Sequence, residues 1–158
     1  MNTAKRTLLT AAIATAAIAA TAQDQVTFKG SVITLAPATE RVHIHLLVDG
    51  TEREVPVSAD GNFKFTVQEG QNVAMRSTCK GFVEKEVAID ANNAGDSADK
   101  KRTISFDVEL AAQDAFGSLY HPNPAGHIAF AQGTGRVLVA YDKTLVQMED
   151  YPLIATNP

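Results

Sequence analysis

The chain has 158 residues, a formal net charge of −4 at pH 7 and a single cysteine, Cys79. One cysteine excludes an intrachain disulfide framework, so a hydrophobic core must hold the fold together. The acidic balance argues against binding nucleic acid through its phosphates, because that mode of binding needs clustered lysine and arginine.

The N-terminus has the layout of a secretory signal peptide, predicted over residues 1–22. Lys5 and Arg6 precede a run of small and apolar residues, LLTAAIATAAIAA, and the run leads into ATA, an A-x-A cleavage pattern. The run is about 13 residues long, short of the roughly 20 that a membrane-spanning helix needs. We therefore expect export to the periplasm or the cell exterior. The remaining residues, 23–158, would carry a formal charge of −6 and suit one domain.

Apolar and polar residues alternate through most of the chain between Gln25 and Leu110. A period of two is typical of β-strands that bury one face. It predicts seven short strands, in the segments 25–32, 42–48, 55–57, 63–67, 72–79, 83–89 and 102–110. Turn signals such as Asp49-Gly50 separate them, and there is no convincing amphipathic helix. The pattern favours an all-β fold, a seven-stranded antiparallel β-sandwich, over an α/β fold.

Two short elements carry a resemblance to a known family. They are the DGNFKF hairpin (60–65) and the KGF element (80–82), which precedes a strand with alternating charges. With RVHIHLLVDG before them, they resemble the transthyretin-like, carboxypeptidase-regulatory-like β-sandwich family over residues 25–111. Members of that family mostly act as non-catalytic modules of peptidases, outer-membrane receptors and surface or adhesion proteins. The resemblance implies a transthyretin-like sandwich domain over 23–111 without a catalytic role.

Residues 112–158 are predicted to form a C-terminal extension that packs on the sandwich. The segments HIAFA and GRVLVAY flank QGTG and read as one more β-hairpin. Asp142 is placed to cap a short helix after it. We expect the extension to cover an edge strand or to add to a sheet, because it is too small for a secure core of its own.

His43 and His45 form the sharpest candidate for a metal site. At positions i and i+2 of a strand, both imidazoles leave the face opposite Ile44, with Cα atoms about 7 Å apart. Such a pair can share Zn²⁺ or Cu²⁺, and His121 or His127 of the extension could complete the coordination. The alternative is that both are ordinary solvent-facing strand residues.

A second candidate site uses aromatic and polar residues of the extension. Tyr120, His121, Asn123 and Tyr141 could form a platform for a carbohydrate or a peptide. The alternative is that the two tyrosines pack the extension onto the sandwich. The chain has no tryptophan, the aromatic residue with the largest face, and this disfavours sugar stacking.

No catalytic residue and no cofactor are predicted. Cys79 continues the inward positions Val73, Met75 and Ser77 of one strand, so it should be a buried core thiol. The sequence has no Gly-x-Ser-x-Gly elbow, His-Glu-x-x-His motif or phosphate loop.

These patterns predict an exported, non-catalytic binding or accessory module that recognises a protein or glycan of the cell envelope by its surface. The alternative is a metal-binding envelope protein that uses His43 and His45. A hydrolase would require a cleft with paired titratable groups of perturbed pKa. The sequence specifies neither the partner nor the oligomeric state.

Overall fold

The structure is a computed structural model that describes residues 24–98, 101–115 and 117–148. The predicted signal peptide and the end of the extension, 149–158, lie outside these residues. The described chain forms twelve β-strands and one short 3₁₀ turn, with no α-helix, so the predicted all-β class is confirmed. No described helix is long and apolar enough to cross a membrane. The strands are β1 (Gln25–Thr34), β2 (His43–Val48), β3 (Thr51–Val55), β4 (Asn62–Gln68), β5 (Asn72–Thr78), β6 (Lys85–Asp90), β7 (Lys101–Ser105), β8 (Val108–Leu110), β9 (Leu119–Tyr120), β10 (Gly126–Phe130), β11 (Val137–Tyr141) and β12 (Val146–Gln147).

β1 is the central strand of the smaller sheet. β4 pairs with it antiparallel along one side, with Val26 opposite Val67 and Phe28 opposite Phe65. Along the other side, β7 pairs parallel with the first half of β1 and β8 with its second half.

The larger sheet has six strands in the order β11-β10-β6-β5-β2-β3. The pairs β2–β3, β2–β5 and β5–β6 are antiparallel. β10 lies parallel to β6 and β11 returns antiparallel to β10, so residues 126–141 add two strands to this sheet. β9 and β12 form a separate small pair.

The inward faces of the two sheets contribute to one apolar core. In β4, Phe63, Phe65 and Val67 are buried while the residues between them are exposed, as the alternation predicted. Cys79 is also buried, which confirms the predicted core thiol. Burial raises the pKa of this thiol, and the nearby charge of Glu40 acts in the same direction.

The predicted strand over 102–110 is two strands in the structure, separated at Phe106 and Asp107. Phe106 N donates a hydrogen bond to the Lys29 carbonyl at 3.1 Å. The Asp107 carboxylate accepts hydrogen bonds from Ser31 N at 2.9 Å and Ser31 Oγ at 2.8 Å. At this point the Asp107 side chain accepts the hydrogen bonds from β1 that the backbone of a continuous strand would accept. The apolar alternation continues in phase through Phe106, so the pattern did not reveal the break.

The predicted helix after Asp142 is wrong. Val146 and Gln147 pair with β9 as β12. Asp142 does cap the backbone, because its Oδ1 accepts a hydrogen bond from Thr144 N at 2.9 Å. This bond spans two residues and closes an Asx turn rather than starting a helix.

Ser77 is a polar residue inside the core. It is fully buried, and its Oγ has no hydrogen-bond partner among the described residues. Because an unpaired buried hydroxyl is unfavourable, we expect Ser77→Ala to raise the free energy of unfolding by about 1 kcal/mol. The same change at exposed Ser105 should stay within about 0.5 kcal/mol of wild type in urea unfolding. A loss of stability in Ser77→Ala would show that the hydroxyl is hydrogen-bonded in solution.

Candidate functional site

The histidine pair lies on the outer face of the six-stranded sheet, with Ile44 in the core between them. The ring centroids of His43 and His45 are 6.5 Å apart and the planes are inclined by 28°. The neighbouring strand β3 supplies two carboxylates: Glu54 Oε1 is 3.0 Å from His43 Nδ1, and Glu52 Oε1 is 3.3 Å from His45 Nδ1. An ionised carboxylate only accepts hydrogen bonds, so in the His43–Glu54 hydrogen bond the His43 Nδ1 is the donor and the Nε2 of that ring points away from Glu54.

The hydrogen bond from His43 holds the pKa of Glu54 below its usual value, and the charge of protonated His43 and His45 adds to the effect. Glu54 therefore stays ionised beside the two rings over the ordinary pH range. The outer corner of β2 and β3 thus carries two separate histidine–glutamate pairs.

Neither histidine of the extension joins this pair, so the expected completion of the metal site is wrong. His127 lies on the same face, but β6 and β5 separate β10 from β2, a distance of three strand spacings or about 14 Å. His121 Nδ1 instead contacts the Thr144 carbonyl at 2.8 Å. Across the described ranges, no group of three or more His, Cys, Asp or Glu is arranged to hold a metal ion.

The residues of the second predicted set lie at and beside the Asp142 turn. Asn123 Nδ2 donates to Asp142 Oδ2 at 3.4 Å, and His121 contacts the same turn. Tyr120 belongs to the β9–β12 pair, whereas Tyr141 ends β11 and is 74% exposed. The structure thus brings His121 and Asn123 to the Asp142 turn, where Tyr120 directly precedes His121 and Tyr141 directly precedes Asp142.

The Asp142 turn should respond to acid. Hydrogen bonds from Thr144 and then from Asn123 hold the pKa of Asp142 below its usual value, and the charge of His121 acts in the same direction. A lowered folded-state pKa means that ionised Asp142 stabilises the fold above about pH 4, and that this contribution is lost as the pH falls through the folded-state pKa.

We expect an NMR titration of the Asp142 carboxyl to have its midpoint below that of aspartate in a short peptide. Asn123→Ala should move this midpoint upward. A midpoint at the peptide value, unchanged in Asn123→Ala, would contradict the hydrogen-bonded turn.

A shallow groove lies in the middle of the outer face of the six-stranded sheet. Its floor consists of small side chains, Ala74 of β5, Ala88 of β6 and Ala129 of β10. In the strand register Ala74 lies between Leu47 and Ala88, and Ala88 lies between Ala74 and His127. The volume of this groove is about 540 Å³. We refer to it as the alanine groove.

The rim of the alanine groove is polar and mostly acidic. Asp49, Asn72 and Asp90 line one end. Beyond Leu47 and Ala74, a smaller depression of about 130 Å³ continues on the same face, lined by polar residues His45, Glu52, Arg76 and Glu86. Four carboxylates and one guanidinium therefore line the two depressions. The Arg76 guanidinium is itself 2.9 Å from Glu84 and 3.7 Å from Glu86.

The sequence contains a signal for this groove, although no chemical motif marks it. Each of the three floor alanines stands between two larger apolar residues, in VAM (73–75), VAI (87–89) and IAF (128–130). The larger residues point into the core, so the alanine must point outward, where strands usually carry larger side chains. In the smaller sheet the outward positions carry residues such as Lys29, Lys64 and Thr66.

Comparisons with known proteins assign no family to the chain. No protein-family model matches the sequence, and no curated protein matches it. Among solved structures, the chain is similar to the dioxygenase domain of a dioxygenase–carbohydrate-binding protein fusion from the cellulolytic bacterium Streptomyces sp. SirexAA-E. That match has a TM-score of 0.43 and 16% sequence identity, and it covers 60% of this chain and 84% of the other. Similarity at this level supports no inference about activity or ligands.

Proposed function

We propose that the chain is an exported, non-catalytic binding module that holds a basic, extended segment of an envelope protein in its alanine groove. Export rests on the signal-peptide pattern of residues 1–22. The family resemblance of residues 25–111 supports a transthyretin-like β-sandwich as the scaffold. The observation that carries the proposal is the groove, an apolar floor of alanines with carboxylates around it.

The lysine side chain matches both parts of the alanine groove. Its methylene stem can pack on Ala74 and Ala88 while its ammonium group reaches a carboxylate of the rim such as Asp90 or Glu52. In an extended segment every second side chain points to the same side, so lysines at alternate positions would all face the groove. Because the rim carboxylates lie at the surface, binding should weaken as the salt concentration rises.

The arrangement of the polar groups around the groove is better suited to binding a partner than to catalysis. Those of the adjoining smaller depression form ion pairs: Arg76 contacts Glu84 and Glu86, and His45 contacts Glu52. Nucleophilic catalysis needs a nucleophile held next to a base. The groups that line the groove instead present a fixed pattern of charge, which selects a partner.

Peptide and glycan arrays probed with the purified chain test this function. We expect retention on peptides that alternate lysine and serine, and none on peptides that alternate glutamate and serine. Ala88→Phe fills the groove and should weaken the binding by at least about tenfold, the usual effect of blocking a central contact. Thr103→Phe, on the exposed face of the smaller sheet, is the matched control and should bind like wild type.

Two outcomes of the arrays would change the proposal. Retention on glycans that is lost in Ala88→Phe would assign the groove to a sugar. Retention on lysine peptides that is the same in Ala88→Phe as in wild type would contradict the groove as the binding site.

The histidine–glutamate pairs favour a second candidate function, the binding of Zn²⁺ or Cu²⁺ by His43 and His45. Metal-ligating histidines commonly donate the other ring N–H to a carboxylate, and here Glu54 is hydrogen-bonded to His43 Nδ1 while Glu52 lies 3.3 Å from His45 Nδ1. One ion needs the two Nε2 atoms within about 4 Å of each other. The ring centroids are 6.5 Å apart, so the rings would have to turn toward each other.

Calorimetric titration with Zn²⁺ and with Cu²⁺ tests this candidate. One-to-one binding that is abolished in His43→Ala/His45→Ala would support it. The absence of binding, or binding that is unchanged in the double variant, would leave the pair as surface residues of the sheet.

A further inference from the structure

β11 is an unprotected edge of the six-stranded sheet. It ends the strand order, and no described strand pairs with its outer side. Its sequence, VLVAY, has no charged residue, whereas the edge strands β3 of the same sheet and β4 and β7 of the smaller sheet carry charges. Charged residues on edge strands protect a sheet from pairing with another chain. β11 lacks this protection.

The backbone bonds to β10 show which groups of β11 face the free edge. The Arg136 carbonyl accepts from Ala131 N at 2.8 Å, and Asp142 N donates to the Ala125 carbonyl at 3.0 Å. In an antiparallel pair, hydrogen-bonded residues alternate with residues whose groups point the other way. The residues that direct both N–H and C=O to the free edge are therefore Val137, Val139 and Tyr141.

We propose that two copies of the chain pair antiparallel through β11, about a two-fold axis at Val139. In this register Val139 lies opposite Val139 of the partner subunit, and Val137 lies opposite Tyr141 of the partner subunit. The free groups of these three residues then exchange about six hydrogen bonds, and the two six-stranded sheets become one continuous sheet.

The same register covers exposed apolar side chains. Val139 is 49% exposed and Tyr141 is 74% exposed, both on the side of the strand that faces the smaller sheet. Leu138, 43% exposed, lies on the other side and would meet Ala140 of the partner subunit. Apolar exposure concentrated on one sheet edge is typical of an interaction surface.

The charges at the two ends of β11 argue for a second copy as the occupant. Arg136 directly precedes the strand and Asp142 directly follows it. The two-fold axis at Val139 places Arg136 opposite Asp142 of the partner subunit, and the reciprocal pair forms on the other side. A shift of the register removes both pairs, so the charges also select this register over its neighbours.

Sedimentation of the purified full chain over a range of concentrations tests the dimer. We expect a concentration-dependent monomer–dimer equilibrium. Val139→Pro removes an N–H that faces the free edge and leaves the bonds to β10 in place. Because each dimer loses two backbone hydrogen bonds, the Kd should rise by about 30-fold or more.

Charge reversal provides an independent test of the register. Arg136→Asp and Asp142→Lys each place like charges opposite one another in a homodimer, so each variant alone should dimerise more weakly than wild type. An equimolar mixture restores an opposite-charge pair on both sides and should recover the dimer as a heterodimer. A monomer at every concentration of wild type would overturn the proposal and leave the edge for a strand of another protein. A dimer that is unaffected by all three variants would also overturn it.

Discussion

Gly30→Ala is expected to lower the free energy of unfolding by about 3 kcal/mol or more, because the site has no room for a methyl group. A Cβ at Gly30 would lie 1.6 Å from the Phe106 carbonyl oxygen, 2.7 Å from its carbon and 3.2 Å from Phe63 Cζ. The two nearest atoms belong to the backbone, so no side-chain rotation relieves the clash. To relieve the clash, β1 would have to move away from the Phe106 backbone, which lies between β7 and β8.

Gly126→Ala is the matched control for this prediction. Gly126 also lies in a strand, and a Cβ there would meet Val87 Cγ2 at 3.5 Å, which is ordinary van der Waals contact. The free energy of unfolding of Gly126→Ala, measured in urea, should stay within about 1 kcal/mol of wild type. Wild-type stability in Gly30→Ala would mean that Phe106 does not approach β1 as closely as the structure shows.

Phe28→Ala is expected to lower the free energy of unfolding by about 4 kcal/mol, the usual loss for a fully buried phenylalanine. Phe28 is 0% exposed and stacks on Phe65 with ring centroids 5.4 Å apart and planes inclined by 19°. It also meets Phe106 edge-on at 6.3 Å. Removal of the ring therefore leaves a cavity at the centre of the smaller sheet.

Phe28→Leu is the comparison that separates the ring contacts from burial. It keeps most of the apolar volume, so we expect a loss of about 1.5 kcal/mol in the same urea unfolding experiment. Equal losses in the leucine and alanine variants would contradict the stacked arrangement with Phe65.

The alternation of apolar residues was sufficient to predict which faces of the strands are buried. It placed Phe63 and Phe65 in the core and His43 outside it, and the structure agrees. Alternation says nothing about which strands are neighbours, because pairing between distant segments depends on the whole chain. The parallel pairing of β10 with β6 therefore could not be derived from the pattern.

Part of the candidate site could be predicted from the sequence. The two-residue turn Asp49-Gly50 fixes the β2–β3 register, and this register sets Glu54 opposite His45 and Glu52 opposite Leu47. The carboxylates beside the histidines could thus have been predicted from the turn. The alanine groove could not, because its floor combines β5, β6 and β10, and the position of β10 depends on the same distant pairing.

An NMR titration with an unlabelled peptide of alternating lysine and serine tests whether the alanine groove is the recognition surface. We predict amide shift changes concentrated at Leu47, Ala74, Ala88 and His127, which diminish as salt is added. Shift changes concentrated instead at Tyr120, His121, Asn123 and Tyr141, or no shift changes at all, would contradict it.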